Sequence, residues 1–334
     1  MKKVLLFIIL ILLVATISPD IRAKNSYRPV HTYSIVARDP NTGQLGVAVQ
    51  THWFSVGTLV PWIEAGVGAI ATQSFVEVSY GPLGLSLMKA GNSAPQALKA
   101  LLEIDQNREV RQVAMIDNQG RVAAFTGKSC ISEAGHFIGN QFSVQANLML
   151  KNTVWKAMAD AYQSAKGDLI DRLMASLEAA QQEGGDIRGR QSAAIIVVCG
   201  QPTGRSWLDR IIDLRIEDHP DPVTELKRLV KVHRAYEHMN RGDEYLAQDD
   251  VGSALKEYSS AEQLAPNNME MVFWHAVTLA SSERLEESLP LFKKVFAADY
   301  NWTVLVTRLP KSGLLPDRPE LIDKILAVAP RRKK

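Results

Sequence analysis

The stretch TYSIVARDPNTGQLGVAVQ, residues 32–50, predicts two strands joined by a tight turn. Residues 33–37 are rich in β-branched and aromatic side chains, and residues 45–50 alternate large and small ones. Between them, Pro40 fixes one φ angle and Gly43 tolerates a positive one. An antiparallel hairpin at this point predicts a sheet whose neighbouring strands are joined directly, without a crossover helix.

The elements that follow come in pairs. Strands are expected at residues 66–74, 111–116, 121–126, 142–147, 191–198 and 211–216, and helices at 81–90, 94–104, 153–165 and 169–182. The chain order is therefore strands, two helices, strands, two helices, strands. This order predicts an α+β fold of two stacked sheets between helical layers rather than a doubly wound parallel sheet, in which strands and helices alternate.

From residue 223 onward the pattern is all-helical and contains a repeat of about 34 residues. Counting from Ala235, the residues at the characteristic tetratricopeptide positions are Gly242, Tyr245, Ala254, Tyr258, Ala261 and Pro266. A degenerate second unit begins near Met269, and helices over 224–232 and 320–328 would cap the pair. The alternative is a generic helical hairpin.

The first residues form a pattern of their own. Lys2 and Lys3 precede an apolar run over residues 4–14 that is too short to span a bilayer comfortably, and Ala23 offers a cleavage site. We expect a signal peptide and export to the periplasm or the extracellular space, with an uncleaved membrane anchor as the alternative. The net charge of +2 is spread along the chain, so no nucleic-acid partner is indicated and membrane contact is expected only through this segment.

Motifs for metals and nucleotides are missing from the sequence. The two cysteines, Cys130 and Cys199, have no metal-ligand spacing, and a disulfide between them is left open. Gly127-Lys128-Ser129 is not a phosphate-binding loop, because Val122 stands where that motif needs glycine. We therefore expect neither a cofactor nor a metal.

Residues 31–232 resemble the family of uncharacterised proteins catalogued as domain of unknown function 1028. The matching stretches include HTYSIVARDPNTGQLGVAV, SYGPLGLSLMKAG, GGDIRGRQSAAIIVV and DLRIEDHPDPVTELKRL. The resemblance implies an N-terminal nucleophile hydrolase-like fold, a four-layer αββα sandwich. We accordingly expect a signal peptide (1–23), a short pre-segment (24–31), the sandwich domain (32–222) and an all-α tetratricopeptide-like domain (223–330).

The resemblance singles out Thr32 as a nucleophile, in preference to Ser34. In N-terminal nucleophile enzymes the first residue's α-amine, with an ordinary pKa of about 8, accepts the proton as the side chain attacks an acyl carbon. Signal cleavage after Ala23 would leave residues 24–31 in front of Thr32, so a second cut would be needed. The alternative is that Thr32 is an ordinary edge-strand residue in a domain without hydrolase activity.

Other polar residues could assist Thr32. No lysine lies between Lys24 and Lys89, so Arg38, on the same strand face, or His52 would have to supply positive charge. Strand-end Gln73, Ser74 and Asn147 could steady an oxyanion or simply make structural hydrogen bonds. Arg188 and Arg190, beside glycines, could hold a substrate carboxylate or phosphate, or pair with Asp186 and fix their loop.

Two functions follow. One is an exported amide-bond hydrolase acting on a peptide, acyl-amino or cell-wall-derived amide. The other is a non-catalytic envelope scaffold whose helical repeats bind a protein or peptide partner. A homo-oligomer is expected in either case.

Overall fold

The computed structural model describes residues 32–331 of the 334-residue chain, so the predicted signal peptide and pre-segment lie outside the described residues. The strands are β1 (Thr32–Arg38), β2 (Leu45–Thr51), β3 (Pro61–Glu64), β4 (Gly68–Ser74), β5 (Arg111–Asp117), β6 (Val122–Thr126), β7 (Gly135–Gly139), β8 (Phe142–Ala146), β9 (Ser192–Val198) and β10 (Arg210–Ile216). The helices are α1 (Tyr80–Lys89), α2 (Ala94–Ile104), α3 (Val154–Ser164), α4 (Leu169–Gln182), α5 (Pro222–Leu246), α6 (Val251–Leu264), α7 (Met269–Ser281), α8 (Leu285–Ala298), α9 (Asn301–Val306) and α10 (Pro319–Ala327).

The strands form two antiparallel sheets. One has six strands in the order β10-β9-β2-β1-β8-β7, and the other has four in the order β3-β4-β5-β6. The expected elements of this region are present within a few residues of their predicted bounds, but β3 and β7 were not predicted. Both are short, and proline in β3 and glycine at each end of β7 weaken the sequence pattern.

Three apolar clusters set the order of the layers. Alternate residues of β1 and β9 pack on α3, α4 and the first half of α5, and Ile70 and Met115 pack on α1 and α2. The third cluster, which includes Val36, Val47 and Ile116, lies between the two sheets. Each sheet is therefore covered by helices on one face and by the other sheet on the second. The prediction of a mixed α+β chain with antiparallel sheets and a helical C-terminal region is confirmed.

Helix α5 connects the sandwich to the helical region. Its first half contributes Val223, Leu226 and Val230 to the core under the six-stranded sheet, and its second half contributes Ala235 and Met239 to the packing against α6. The separate capping helix predicted over residues 224–232 was wrong, because neither glycine nor proline interrupts the chain between Pro222 and Gly242. The boundary predicted between residues 222 and 223 falls at the first turn of this helix and stays a prediction.

Two further observations bear on the expectations above. Among the described residues, every helix is too short or too polar to cross a membrane. Both cysteine thiols are free. Cys130 contacts the carbonyl of Arg111, where β5 begins, whereas Cys199 follows the far end of the seven-residue β9. Since a strand of that length spans roughly 20 Å, the two thiols lie too far apart for a disulfide.

Candidate functional site

Polar side chains are concentrated at one end of the space between the sheets. This polar end, as we call it, lies where β1 begins, and all its members are buried except Thr126, which is partly exposed. Because side chains alternate along a strand, Thr32 and Ser34 of β1 face the four-stranded sheet. The other members are Gln145 and Asn147 from the six-stranded side and Gln73, Gln112 and Thr126 from the four-stranded side. The buried glutamines, Asn147, Thr32 and Ser34 are completely inaccessible to solvent.

The backbone of Thr32 is held by two donors at this end. Its carbonyl oxygen accepts hydrogen bonds from the side-chain Nε2 of Gln73 at 3.0 Å and from the backbone nitrogen of Asn147 at 3.1 Å. The Gln73 side chain also accepts a hydrogen bond from the Ser34 hydroxyl at 2.6 Å. The first residue of β1 is thus fixed to both sheets at once.

Gln112 links the members of the polar end to each other. Its Oε1 atom accepts hydrogen bonds from Gln73 Nε2 at 2.7 Å and from Asn147 Nδ2 at 2.9 Å. Its Nε2 atom donates toward the Thr126 hydroxyl at 2.9 Å and the Ala146 carbonyl at 2.9 Å. A buried amide with this many partners fixes the relative position of four strands.

Ser74 occupies a strained position at the end of β4. Its φ angle is +71°, a conformation that costs a residue other than glycine about 1 kcal/mol or more. Its hydroxyl is buried and has no hydrogen-bond partner of good geometry among the described residues. It lies near the Cys130 thiol, whose pKa is raised by burial and partly lowered again by this hydroxyl. A buried hydroxyl at a strained residue, with only this weak contact to a thiol, is unusual outside functional sites.

A cavity of about 540 Å³ lies beside the polar end, walled by the loop between β6 and β7. His136 lines it, and its Nδ1 atom is 2.8 Å from the Thr126 hydroxyl. Burial lowers the pKa of His136, so its imidazole is neutral at neutral pH. Glu133 in this loop and Leu148 opposite it also have positive φ angles, of 54° and 55°. Three strained residues therefore surround the polar end.

The predicted arginines lie in the loop after α4. Arg188 forms a two-pronged ion pair with the buried Asp186, at 3.0 Å from Nε and 2.7 Å from Nη2. The same carboxylate accepts a hydrogen bond from the His52 amide nitrogen at 3.1 Å. Arg190 pairs instead with Asp221, at 3.1 Å, in an exposed position. Of the two alternatives for Arg188, the geometry agrees with fixing the loop.

Arg38 is not brought to the polar end. It shares a strand face with Thr32, but it stands six residues further along β1, roughly 20 Å away at the usual rise of a strand. There its Nη1 atom donates a hydrogen bond to Gln141 Oε1 at 2.6 Å. At this distance water and protein screen its charge from the Thr32 hydroxyl, so the predicted electrostatic assistance is not supported by its placement.

Thr32, Gln73, Ser74 and Asn147 were predicted from the sequence; three of them lie at the polar end, and Ser74 follows Gln73 at the end of β4. Gln112, Gln145 and the cavity residue His136 were not predicted. The signal for the glutamines was present, since each is the only amide side chain in its strand. Among the described residues, no group of three or more histidine, cysteine, aspartate or glutamate side chains is placed to hold a metal ion.

Comparison with known proteins identifies a family and finds similar solved structures. No curated protein matches the chain. A crystal structure of protein SPO2555 from Silicibacter pomeroyi, whose description names the family model DUF1028, is similar to this chain. The TM-score is 0.54 and the sequence identity is 30%, over 60% of this chain and 85% of that one. The sequence profile described as a family of unknown function, DUF1028, matches residues 32–226, which include every residue of the polar end. The chain belongs to the DUF1028 family.

Proposed function

We propose that this protein is an exported amide-bond hydrolase of the N-terminal nucleophile type, with Thr32 as nucleophile and general base. The observation that carries the proposal is the position of Thr32: it begins β1, it is buried between two helix-covered sheets, and its carbonyl is fixed by Gln73 and Asn147. The layer order agrees with the αββα sandwich of that superfamily. Export through cleavage of residues 1–23 and a homo-oligomeric state belong to the same proposal.

The chemistry requires that the peptide bond between His31 and Thr32 be cut, which frees the α-amine of Thr32. The Thr32 hydroxyl then attacks the substrate's amide carbon while its proton passes to that amine. The amine returns the proton to the departing nitrogen, leaving an ester on Thr32. Water hydrolyses this ester, and the products are a carboxylic acid and an amine.

The neighbouring side chains have separate parts in this scheme. Gln73 and Asn147 are positioning residues, because the Gln73 side chain and the Asn147 backbone nitrogen hold the Thr32 carbonyl. Both side chains are themselves bonded to Gln112. Ser74 is the candidate oxyanion donor, since its hydroxyl is buried and unsatisfied at the same end. Arg38 lies too far away to influence the proton transfer. We therefore assign the role of base to the α-amine alone, whose ordinary pKa of about 8 leaves a useful fraction neutral.

The test is reaction with a β-lactone probe, which acylates an N-terminal threonine without requiring the natural substrate. The intact mass of protein recovered after export should correspond to a chain whose first residue is Thr32. Mass spectrometry of its peptides should then locate the probe on that residue. Thr32→Ala should lose all labelling. Thr51→Ala is the matched control, because Thr51 lies directly opposite Thr32 in the sheet register and is equally buried.

The competing result is equally clear. A homogeneous mature chain that begins at Lys24 and does not react with the probe would remove the hydrolase proposal. Labelling that persists in Thr32→Ala would remove Thr32 as the nucleophile.

A second candidate, a scaffold that binds a peptide, is favoured by one observation in the helical region. The pairs α5/α6 and α7/α8 support a tetratricopeptide-like arrangement, in which Gly242 lets α5 approach Tyr258 so closely that a Cβ atom would lie 2.4 Å from the ring. A groove of about 510 Å³ lies between α5, α7 and residues 310–317. It is lined by Trp274 and Leu314 and carries the carboxylates of Asp243 and Asp317, so we assign it to an apolar, basic peptide.

Fluorescence anisotropy separates this candidate from the first. A labelled peptide of alternating leucine and lysine should bind, and one of alternating leucine and glutamate should not. Asp317→Asn should weaken binding, with Asp323→Asn on the following helix as the control. Equal binding of both peptides would contradict the assignment.

A further inference from the structure

The loop between β6 and β7, residues 127–134, crosses from one sheet to the other at the polar end. Together with the ends of those strands it walls the cavity of about 540 Å³. That volume lies within the range of roughly 300–1,000 Å³ typical of sites for small molecules. The cavity is therefore large enough for a ligand of one or two amino-acid residues.

This loop is held in place by backbone hydrogen bonds on both sides. Gly127 donates to the Arg111 carbonyl at 2.9 Å, Ser129 donates to the Glu109 carbonyl at 2.8 Å, and the Glu133 carbonyl accepts from Met149 at 3.2 Å. A Cβ atom on Gly127 would lie 2.3 Å from the Glu109 carbonyl oxygen, so only glycine fits there. A wall fixed in advance loses little conformational entropy when a ligand binds.

The cavity carries one charge of each sign. Lys128 and Glu133 both line it, and neither forms an ion pair with another described residue. The nearby Glu109 carboxylate contacts the backbone nitrogen of Lys128 and is paired with Arg108. His136 and Cys130, the other titratable groups in the wall, are neutral at neutral pH, because burial lowers the pKa of the first and raises that of the second. The lining therefore contains one ammonium and one carboxylate beside neutral side chains.

The floor of the cavity is connected to Thr32. Gln112 Nε2 lies 2.9 Å from the Thr126 hydroxyl and 3.2 Å from the Gly135 carbonyl, both in the cavity wall. The other end of the same amide contacts Gln73, which holds the Thr32 carbonyl. A ligand in the cavity is therefore separated from Thr32 by two buried side chains, Gln112 and Gln73, and their hydrogen bonds.

We propose that this cavity binds a zwitterion, with the ligand's carboxylate at Lys128 and its ammonium at Glu133, as presented by a free amino acid or a dipeptide. The inference rests on the proposed function in assigning this ligand as the charged end of the substrate or as the product of amide cleavage. The shared chemistry of the two sources is an ammonium and a carboxylate close together. A ligand with one charge satisfies only one side of the cavity.

Titration calorimetry on the full mature chain tests this directly. Alanine represents the free amino acid and alanylalanine the dipeptide, with acetate and methylammonium as the single-charge controls. At least one zwitterion should bind, and each control should bind at least about fivefold more weakly. Tighter binding of alanine identifies a product site, and tighter binding of alanylalanine identifies a substrate site. Absence of heat with both, or equal binding of acetate, would overturn the inference.

Variants locate the binding. Lys128→Met and Glu133→Gln should each weaken the preferred zwitterion by about fivefold, since each removes one exposed charge. Lys99→Met, on the outer surface of α2, is the control and should bind as the unmodified protein does. Because Lys128 and Glu133 are exposed, both variants should keep their melting temperature. Unweakened binding in both would place the ligand elsewhere and contradict the proposal.

Thr32→Ala keeps this test independent of the hydrolase test. That variant should lose probe labelling while it retains zwitterion binding. Binding without labelling in the unmodified protein would remove the hydrolase and leave the site. Labelling without zwitterion binding would remove the binding site and leave the hydrolase proposal.

Discussion

The two ends of the space between the sheets are built from the same strands but are filled in opposite ways. At the end where β1 finishes, Val36, Val47 and Ile116 pack as an ordinary apolar core. At the other end the same strands present buried glutamine, asparagine, serine and threonine side chains joined by hydrogen bonds. Burying amides is costly unless every polar atom finds a partner, so nothing about folding alone favours this arrangement over more valine and alanine. This difference is the reason that we propose the polar end as the functional site.

The largest expected effect is a loss of stability, and it can be measured by comparing the two ends of a single strand, β5. Gln112 and Ile116 both lie on the inner face of β5, one at each end. Gln112→Met keeps the volume but removes the partners of Gln73 and Asn147, and we expect it to lower the free energy of unfolding by about 3 kcal/mol. Ile116→Met should cost less than about 1.5 kcal/mol, because only shape changes. Urea denaturation measures both, and equal losses would mean that the amide network does not stabilise the fold.

A smaller effect of opposite sign is expected at Ser74. Its positive φ angle and unsatisfied hydroxyl both cost stability, so Ser74→Gly should raise the free energy of unfolding by about 1 kcal/mol. Labelling of Thr32 by the β-lactone should fall in the same variant if the hydroxyl serves as oxyanion donor. Ser143→Gly in β8, where the serine hydroxyl donates to the Phe137 carbonyl, is the control and should lose stability. A destabilised Ser74→Gly would show that the strain argument is wrong.

The smallest effect is a pH dependence confined to the polar end. Burial lowers the pKa of His136, so the folded state binds its proton less readily than the unfolded chain does. Its contribution to stability is therefore complete above the ordinary histidine pKa and is lost as the pH falls through the lowered value. Melting temperatures recorded from neutral to mildly acidic pH should fall less steeply in His136→Gln than in the unmodified protein. His219→Gln leaves His136 in place, so its melting temperature should fall with pH as steeply as that of the unmodified protein.

Much of the fold could be predicted from the sequence, because turn residues and apolar periodicity are local. The ends of α2 and α4 agree with their predicted bounds, and Ser93 caps α2 by accepting a hydrogen bond from the Gln96 backbone nitrogen. The strand β7 and the continuity of α5 could not be predicted, because the first lacks apolar alternation and the second depends on what its two halves pack against.

The candidate site was only partly predictable for a related reason. Strand alternation gives the face on which a residue lies, and it correctly put Arg38 and Thr32 on the same face of β1. The rise along the strand nevertheless separates the two residues by the length of β1. A glutamine in one strand, such as Gln112, looks the same in sequence whether it faces water or another sheet. Only the stacking of the two sheets brings Gln73 and Gln112 together, and that contact spans 39 residues of chain.

Helix α5 also determines how this protein can be divided. Its first turns complete the hydrophobic core beneath the six-stranded sheet, while its last turns support the first helical pair. A cut at residue 222 would therefore strip Val223, Leu226 and Val230 from the sandwich and leave them bare on the other fragment. A cut near residue 233 would give each fragment its own half of the helix. To separate the sandwich from the helical region, the gene should be divided in the middle of this helix rather than at its first residue.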